Sequence, residues 1–210
     1  MGSISLAENR RTLIILAIIM LASLVAFYFT RSKPASVVPT PLAQDPAIGP
    51  ANAPVTIVEY GDFGCTTCLG WERAGVRSQI LANYNGKVRF IWRDFPVITA
   101  QSPKAAEAAQ CAFLQGKFWP YHDLLYQKAP ALSISNLKQY AADLGLDTIK
   151  FNQCLDSGQE QAKVTASTQA AYQLHFVGTP SFTVNNQPVI GPQPYTYFSS
   201  LIDKILSTKG

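Results

Sequence analysis

Two cysteines, Cys65 and Cys68, are separated only by Thr66 and Thr67. A C-x-x-C turn at the start of a helix places two thiols within disulfide reach. The first thiol then lies among unpaired backbone N–H groups at the positive end of the helix dipole, which favours the thiolate and lowers its pKa. Because a stabilised thiolate is a good leaving group, the oxidised pair readily passes its disulfide to another thiol. The spacing therefore predicts a redox-active disulfide.

The same C-x-x-C is also compatible with half of a zinc site or with an inert disulfide. Zinc sites usually combine one C-x-x-C with a second close pair of ligands, whereas the remaining cysteines, Cys111 and Cys154, are far apart in the sequence. Neither His122 nor His175 accompanies a cysteine in a recognisable motif, and both are predicted to be structural. We therefore predict redox chemistry and no metal.

A short strand and a helix position the C-x-x-C. Val55–Tyr60 is rich in β-branched and aromatic residues and is predicted to be a buried strand. Gly61–Gly64 has the residues of a turn, and a helix is predicted to follow from about Cys65 to Ala82. Within that helix, Val76 and Ile80 fall on one face, and Arg73 and Arg77 fall on another.

A second strand and a block of helices follow. Asn83–Lys87 contains an Asn-Gly turn that ends the first helix, and Val88–Arg93 is the second predicted strand. A strand, a helix and a strand with short connections indicate a βαβ unit with parallel strands. Five helices are predicted in the middle of the chain: Lys104–Leu114, Tyr121–Lys128, Ser135–Leu144, Thr148–Leu155 and Gln159–His175.

The C-terminal part returns to strands. Ser181–Val184 and Val189–Ile190 flank the turn residues Asn185–Pro188, which predicts a hairpin. A closing helix is predicted over Tyr195–Leu206, with its apolar residues turned inward. The order of elements is thus β-α-β, a helical block and β-β-α, which predicts an α/β fold.

The strand before the C-x-x-C and the Gly61–Gly64 loop resemble the thioredoxin fold. The long helical block before the final hairpin resembles that of the DsbA-like thiol–disulfide oxidoreductases, particularly their membrane-anchored bacterial members. Four further segments match that family: Arg93–Pro96, Ala105–Tyr126, Phe151–Leu155 and Gly178–Phe182. The resemblance implies a thioredoxin-like domain over residues 55–208, with a helical insertion at approximately residues 98–175.

The resemblance also implies roles for individual residues of the site. Cys65 matches the exposed nucleophilic cysteine, and Cys68 matches the buried resolving cysteine. Pro180 matches the cis-proline that packs across the active site, and the backbone of Thr179 matches the segment that pairs with bound substrate. Glu59 matches a buried carboxylate that assists proton movement, rather than an exposed carboxylate on an edge strand. Such a group is costly to bury unless it is protonated or hydrated.

The resemblance implies a catalytic activity outside the cytoplasm. Cys65 and Cys68 are expected to donate their disulfide to reduced or unfolded secreted and membrane proteins, without a cofactor. A membrane quinone-linked reoxidase of the DsbB or vitamin K epoxide reductase-like type is expected to restore the disulfide. Thr66 and Thr67 are expected to contact substrate. They replace the Pro-His of the best-known periplasmic oxidants, which leaves open whether the protein mainly donates or reduces disulfides. A reductase or isomerase is the alternative, and a redox-inactive binding or metal-carrier module is a more distant one.

Cys111 and Cys154 lie at positions that related proteins commonly bridge. A structural disulfide is therefore expected between them, and two buried free thiols are the alternative. Such a disulfide persists only outside a reducing cytosol, which agrees with a catalytic domain on the extracytoplasmic side.

The N-terminal part contains a long apolar segment, Thr12–Thr30, whose 19 residues include no charge. As a helix it spans about 28 Å, close to the ~30 Å hydrocarbon core of a bilayer. It is longer than the apolar region of a cleaved signal peptide, and no clear A-x-A follows it. We therefore predict a short tail over residues 1–11, a retained single-pass signal anchor in the cell membrane, and a Pro-rich linker over residues 31–54. Because two basic residues lie on each side of the segment, its charges do not predict its orientation in the membrane. The orientation is instead inferred from the redox chemistry of the domain.

The composition excludes several other classes of protein. The chain is 48% hydrophobic and 11% aromatic, which is too apolar for a disordered protein. Its net charge of +4 arises from 17 basic and 13 acidic residues, and no basic run exceeds two residues. That distribution is not the basic stripe of a nucleic-acid-binding protein. Four cysteines in 210 residues are also too few for a small domain held together by disulfides.

Overall fold

The computed structural model describes Leu13, Leu16, residues 18–20 and residues 45–208. The chain divides into two units, Met1–Val37 and Val38–Gly210, and the sheet with its surrounding helices belongs to the second unit. Most of the predicted anchor and most of the predicted linker lie outside the described residues. Within the described parts of the chain, no helix combines the length and apolar character that a membrane span requires.

The described residues of the second unit form five strands and eight helices. The strands are β1 (Ala47–Ile48), β2 (Val55–Gly61), β3 (Val88–Asp94), β4 (Ser181–Val184) and β5 (Gln187–Ile190). The helices are α1 (Thr66–Arg73), α2 (Val76–Asn83), α3 (Ser102–Phe113), α4 (Phe118–Lys128), α5 (Ile134–Asp143), α6 (Thr148–Ser157), α7 (Gln161–Gln173) and α8 (Tyr195–Ser207).

The strands form one sheet in the order β1-β3-β2-β4-β5. Strands β2 and β3 are parallel, and every other pair is antiparallel. A parallel pair needs a crossover connection, which α1 and α2 supply. In the register of the sheet, Glu59 on the central strand stands beside Trp92 on β3 and Phe182 on β4.

The two faces of the sheet are covered by different helices because side chains alternate along each strand. Val55 and Ile57 of β2 belong to a core that also contains residues of α1, α2 and α8: Trp71, Val76, Ile80, Phe198 and Ile202. Val58 and Tyr60 point to the opposite face, where they belong to a core with Ala171, at the end of α7. Glu59 follows Ile57 by two residues, so its side chain points to the same face of the sheet, the one covered by α1.

Helices α3 to α7 form an insertion between β3 and β4, and they share a core of their own. Its members include Phe118, Tyr121, Leu125, Leu137, Phe151 and Leu155. The same cluster of buried residues includes Phe63, Cys65 and Cys68, so the insertion packs directly against the C-x-x-C. A disulfide between Cys111 and Cys154 joins α3 to α6.

The predicted single helix from Cys65 to Ala82 is wrong, because the chain forms two helices there. Helix α1 ends at Arg73 and α2 begins after Gly75, whose φ is 67°. Glycine adopts this left-handed conformation at no steric cost, so the helix breaks at that point. The break turns Arg77 inward, and only 8% of this residue is exposed. The predicted separation of Arg77 from Val76 and Ile80 is therefore also wrong, because all three are buried.

The predicted hairpin turn over Asn185–Pro188 is also too long. Strand β5 already begins at Gln187, and the turn consists of Asn185 and Asn186 alone, with φ of 44° and 69°. Positive φ at both positions is the signature of a two-residue type I′ turn, in which asparagine is favoured. Pro188 lies in the outermost strand, where a missing N–H is tolerated.

The predicted linker ends earlier than residue 54, because its last residues belong to the folded unit. Ala47 and Ile48 form β1, which pairs with Ile91 and Phe90 of β3. An ion pair between Asp45 and Arg93, 3.0 Å apart, lies beside it, and both side chains are buried. The short strand covers an edge of the sheet that would otherwise expose unpaired backbone groups.

Candidate active site

The C-x-x-C lies at the start of α1, as its sequence context predicts. Cys65 is the N-cap residue, and the backbone N–H of Cys68 donates to Cys65 Sγ over 3.4 Å. The sulfur thus occupies the place of a capping side-chain oxygen, where it faces the unpaired N–H groups of the first helical turn. Both cysteines are free thiols in this structure.

The environment of Cys65 stabilises its thiolate. Hydrogen bonds with the Cys68 thiol, with Thr179 and with the backbone N–H groups of Cys68 and Thr67 lower the pKa of Cys65 to about 5, although burial acts in the opposite direction. The expected exposure of Cys65 is wrong, since only 5% of the residue is accessible. The carbonyl oxygen of Thr179 lies 3.3 Å from its sulfur and covers one side of it.

The environment of Cys68, by contrast, disfavours its thiolate. Its side chain has no exposed surface, and burial strongly raises the pKa of its thiol. The hydrogen bond with Cys65 and the negative charge of Glu59 raise that pKa further. At neutral pH the two sulfurs therefore differ in charge: Cys65 is a thiolate and Cys68 is a thiol. Cys65 can therefore act as a nucleophile or a leaving group, whereas Cys68 must gain or lose a proton during exchange.

Glu59 is buried beneath the C-x-x-C, on the α1 face of the sheet. The residue has no exposed surface, and neither carboxylate oxygen has a hydrogen-bond partner among the described residues. Its neighbours in the sheet are aromatic, Trp92 and Phe182, and offer the carboxylate no donor at that position. Burial, and then the charge of Glu72, raise the pKa of Glu59 well above its ordinary value. The buried environment of Glu59 therefore disfavours its charged form.

Thr179 and Pro180 lie against the nucleophile, just before β4. The peptide bond between them is cis, and Pro180 is buried. Thr66 and Thr67 are exposed on the first turn of α1. The structure therefore places all four residues around Cys65, while their contacts with substrate stay a prediction.

An apolar cavity of about 120 Å³ opens beside the nucleophile. Part of its wall comes from the active-site loop and α1, and the rest comes from the loop that follows α4. Its lining residues are Phe63, Gly64, Cys65, Thr66, Leu69, Ala129 and Pro130. A peptide side chain next to a cysteine bound to Cys65 would meet mostly apolar groups there.

A charged cluster next to the site was not predicted from the sequence. Arg77 Nε lies 3.1 Å from Glu72 Oε1, and Arg77 Nη2 lies 2.6 Å from Asp123 Oδ1. The guanidinium also lies over the ring of Trp119, 4.8 Å from its centroid. Asp123 in turn contacts His122 Nδ1 at 2.9 Å. These contacts connect α1, α2 and α4, and the only sequence signal for them is the glycine that turns Arg77 inward.

The two histidines occupy different environments. His122 is fully buried among aromatic rings, and burial lowers its pKa. His175 is exposed just after α7. Within residues 45–208 and the few described N-terminal residues, no group of three or more His, Cys, Asp or Glu side chains is placed to hold a metal ion.

Curated relatives that match this chain are much longer proteins. The protein named Na(+)/H(+) antiporter NhaA 3 from Salinispora tropica is 38% identical over 157 residues, which cover 74% of this chain and 24% of the relative. A second relative with a similar name, from Salinispora arenicola, is 36% identical over 71% of this chain. The chain thus spans about a quarter of the length of these relatives, whose name describes the longer proteins.

Solved structures match nearly the whole folded unit. A thioredoxin-like oxidoreductase from Silicibacter pomeroyi superposes with a TM-score of 0.70 at 28% identity, over 85% of this chain and 99% of that chain. The fold is also that of alpha-DsbA1 from Wolbachia pipientis, with a TM-score of 0.71 at 24% identity over 82% of this chain and 96% of that chain. The family profile described as Thioredoxin matches residues 42–204, which is most of the chain, and the chain therefore belongs to the thioredoxin family.

Proposed function

We propose that the chain is a thiol–disulfide oxidoreductase that donates the Cys65–Cys68 disulfide to reduced proteins. The observation that carries the proposal is the placement of Cys65 as the N-cap of α1, where the N–H of Cys68 donates to its sulfur, above a fully buried Cys68. This placement lowers the pKa of Cys65 to about 5 and raises that of Cys68. A stabilised Cys65 thiolate favours the reduced pair, and this makes the oxidised pair a stronger oxidant.

The exchange proceeds in two steps. A substrate thiolate attacks the sulfur of Cys65, the Cys65–Cys68 bond breaks, and its electron pair goes to Cys68, which takes up a proton. A second thiolate of the substrate then attacks the substrate sulfur of the mixed disulfide. Cys65 leaves as a thiolate, the substrate has lost two electrons and gained a disulfide, and the protein holds the dithiol. The low pKa of Cys65 favours its departure.

The substrates of this proposal are reduced or unfolded secreted and membrane proteins. The backbone of Thr179, beside Cys65, pairs with an extended segment of the substrate in the manner of strand addition. Exposed Thr66 and Thr67 contact the same segment from the first turn of α1. The apolar cavity next to Cys65 supports this assignment, because unfolded proteins expose apolar side chains.

The proposal includes a place for the protein in the cell. The uncharged segment Thr12–Thr30 supports attachment to the cell membrane through a single span, and the Cys111–Cys154 disulfide supports a catalytic domain on the extracytoplasmic side. A quinone-linked membrane reoxidase of the DsbB or vitamin K epoxide reductase-like type regenerates the disulfide. Protease added to intact spheroplasts is expected to digest the domain, and a protected domain would contradict this orientation.

A reductase or isomerase is the second candidate, and Thr66 and Thr67 favour it. Neither residue carries a positive charge that could stabilise the thiolate of Cys65. The reduction potential separates the two functions: a donor is expected nearer to the about −120 mV of DsbA than to the about −270 mV of thioredoxin. The full-length protein in detergent is equilibrated with glutathione buffers, and the reduced fraction is measured by alkylation and mass spectrometry. A potential near that of thioredoxin would overturn the donor function.

A further inference from the structure

A buried aspartate, Asp62, lies at the base of the turn that leads to Cys65. Only 1% of Asp62 is exposed, although aspartate is almost never fully buried unless its carboxylate has partners. The backbone N–H of Cys65 donates to the carbonyl oxygen of Asp62 over 3.1 Å, so residues 62–65 form a β-turn. Aspartate is favoured at the first position of the commonest β-turn. The nucleophile is therefore the last residue of a turn that Asp62 begins.

Both carboxylate oxygens of Asp62 accept hydrogen bonds from backbone N–H groups. Asp62 Oδ1 accepts from Gly64 over 2.7 Å, inside the turn. Asp62 Oδ2 accepts from Ile98 over 2.8 Å, in the loop that follows β3 and lies 36 residues away in the chain. Two acceptor oxygens are needed here, because an asparagine has one and would direct its NH₂ group toward the other N–H.

The loop that follows β3 packs closely against the turn. A Cβ on Gly64 would lie 2.5 Å from Ser102 Oγ and 2.6 Å from Thr99 Oγ1, so only glycine fits at this position. The hydroxyl groups of Thr99 and Ser102 are 2.9 Å apart, and each accepts from the backbone N–H of the other residue over 3.2 Å. These reciprocal bonds fix the wall against which the turn packs.

Helix α4 of the insertion holds the turn from another side. The hydroxyl of Tyr126 donates to the carbonyl oxygen of Asp62 over 3.3 Å. The ring of Phe63, inside the turn, stacks on Trp92 with 4.9 Å between the ring centroids and lies 5.3 Å from the ring of Tyr126. Asp62 therefore bonds to its own turn, to the loop after β3 and to the helical insertion.

The geometry of this turn decides where the sulfur of Cys65 lies. That sulfur accepts from the N–H of Cys68 over 3.4 Å, and a functional group of this kind has to be held within about 0.5 Å of its productive position. The negative charge of Asp62, three residues before Cys65, acts against a thiolate there. Charge therefore gives no reason for an aspartate at this position, whereas its two acceptor oxygens do.

We propose that Asp62 is a positioning residue for disulfide exchange, whose carboxylate ties the turn of residues 62–65 to the loop after β3 and so holds the sulfur of Cys65 at the start of α1. The inference rests on the proposed function, because this is the sulfur that the substrate attacks. In a loosened turn, the Cys65 thiolate loses its bonds to the N–H groups of the helix. The reduced pair is then less stable, and the oxidised pair is a weaker oxidant.

The test compares Asp62→Asn with Asp147→Asn as a matched control. Asp147 also accepts from two backbone N–H groups, those of Ile149 and Lys150, each over 3.1 Å, but it caps α6 in the helical insertion. Each full-length protein in detergent is equilibrated with glutathione buffers, and the reduced fraction of the Cys65–Cys68 pair is measured by alkylation and mass spectrometry. We expect Asp62→Asn to lower the equilibrium constant for oxidation of glutathione by about tenfold, or about 30 mV, and Asp147→Asn to leave it unchanged.

The direction of the change separates positioning from charge and from stability. Removal of a negative charge near Cys65 would by itself stabilise the thiolate, so a larger equilibrium constant for Asp62→Asn would overturn the inference. A lower melting temperature with an unchanged equilibrium constant would mean that Asp62 serves the fold alone, which also contradicts the inference. An equal fall for Asp147→Asn would do the same.

Tyr126→Phe provides a second variant that alters no charge at neutral pH. It removes the hydrogen bond from α4 to Asp62, and we expect the same equilibrium constant to fall by about threefold, in keeping with the loss of one weak hydrogen bond. If Asp62→Asn does not fold, Tyr126→Phe decides the question, and an unchanged constant would overturn the inference. A wild-type potential near that of thioredoxin contradicts the donor function instead and leaves the comparison between variants intact.

Discussion

The protonation of Cys65 is the residue-scale property from which the proposed activity follows. Because its pKa is lowered to about 5, the thiolate is present above that pH and is lost as the pH falls through it. The rate of alkylation of the reduced protein by iodoacetamide should therefore rise to half its maximum near pH 5. A free thiol reaches that point near pH ~8.5.

Mass mapping of the alkylated peptides identifies which thiol reacts. Cys65 should be modified first over the whole range, since Cys68 is fully buried and its pKa is raised. The Cys65→Ser protein serves as the control and should show no reactive thiol below pH 8. A midpoint near that of a free thiol would mean that the helix start does not stabilise the thiolate.

The two cysteines should also behave differently when each is replaced. We expect Cys68→Ser to accumulate mixed disulfides with substrate proteins. The Cys65 thiolate can still attack a substrate disulfide, but Cys68 is no longer present to attack Cys65 and expel the substrate thiolate. Cys65→Ser should accumulate none, since the remaining thiol is buried and protonated. Non-reducing electrophoresis of cell extracts measures both. If Cys65→Ser captured substrate and Cys68→Ser did not, the roles would be reversed.

Among the elements, the break between α1 and α2 has a measurable consequence. An alanine at Gly75 would be forced into a left-handed conformation at φ 67°, which costs about 1–2 kcal/mol. Gly86 is the matched control, because its φ is 75° and a Cβ there would meet no described atom within 4 Å. We expect Gly75→Ala and Gly86→Ala to lower the free energy of unfolding by similar amounts in urea titrations.

Only one of the two glycine variants should alter disulfide exchange. Relaxation of the strain at Gly75 shifts the start of α2 and moves Arg77 relative to Glu72 and Asp123. Gly86 lies in the turn before β3, away from that cluster. Equal exchange rates for the two variants would show that the break serves the fold alone.

The elements also show how far the sequence predicts this structure. Strands β2, β3 and β4 agree with the predicted runs within one residue, because apolar and β-branched residues cluster in them. The break at Gly75 was missed, since a glycine within a helical pattern does not reveal its φ. Strand β1 was missed because two residues among prolines carry no periodicity.

Some residues of the site could be predicted from the local sequence, whereas others depend on contacts between distant segments of the chain. Cys65 and Cys68 follow from their spacing, and Glu59 follows from the resemblance to a family with a buried carboxylate on the preceding strand. The contact of Arg77 with Asp123 joins residues 46 positions apart in the chain. It depends on how the helical insertion packs against α2, which no local pattern encodes.

For the whole molecule, the Cys111–Cys154 disulfide is expected to contribute stability rather than chemistry. It joins α3 and α6 across 43 residues, and both cysteines are buried. The double variant Cys111→Ala and Cys154→Ala should lose about 4 kcal/mol of unfolding free energy by the chain-entropy relation. The alkylation profile of Cys65 should be unchanged. Loss of stability together with a shifted profile would show that the disulfide also tunes the active site.

The outer strands of the sheet bear on how molecules of this protein behave when they are crowded together. On one side β1 offers only two residues, and on the other β5 carries Pro188, which lacks an N–H. Edge-to-edge polymerisation needs a long row of free backbone donors and acceptors, and neither side supplies one. Neighbouring copies at high concentration are therefore expected to resist joining edge to edge into fibrils.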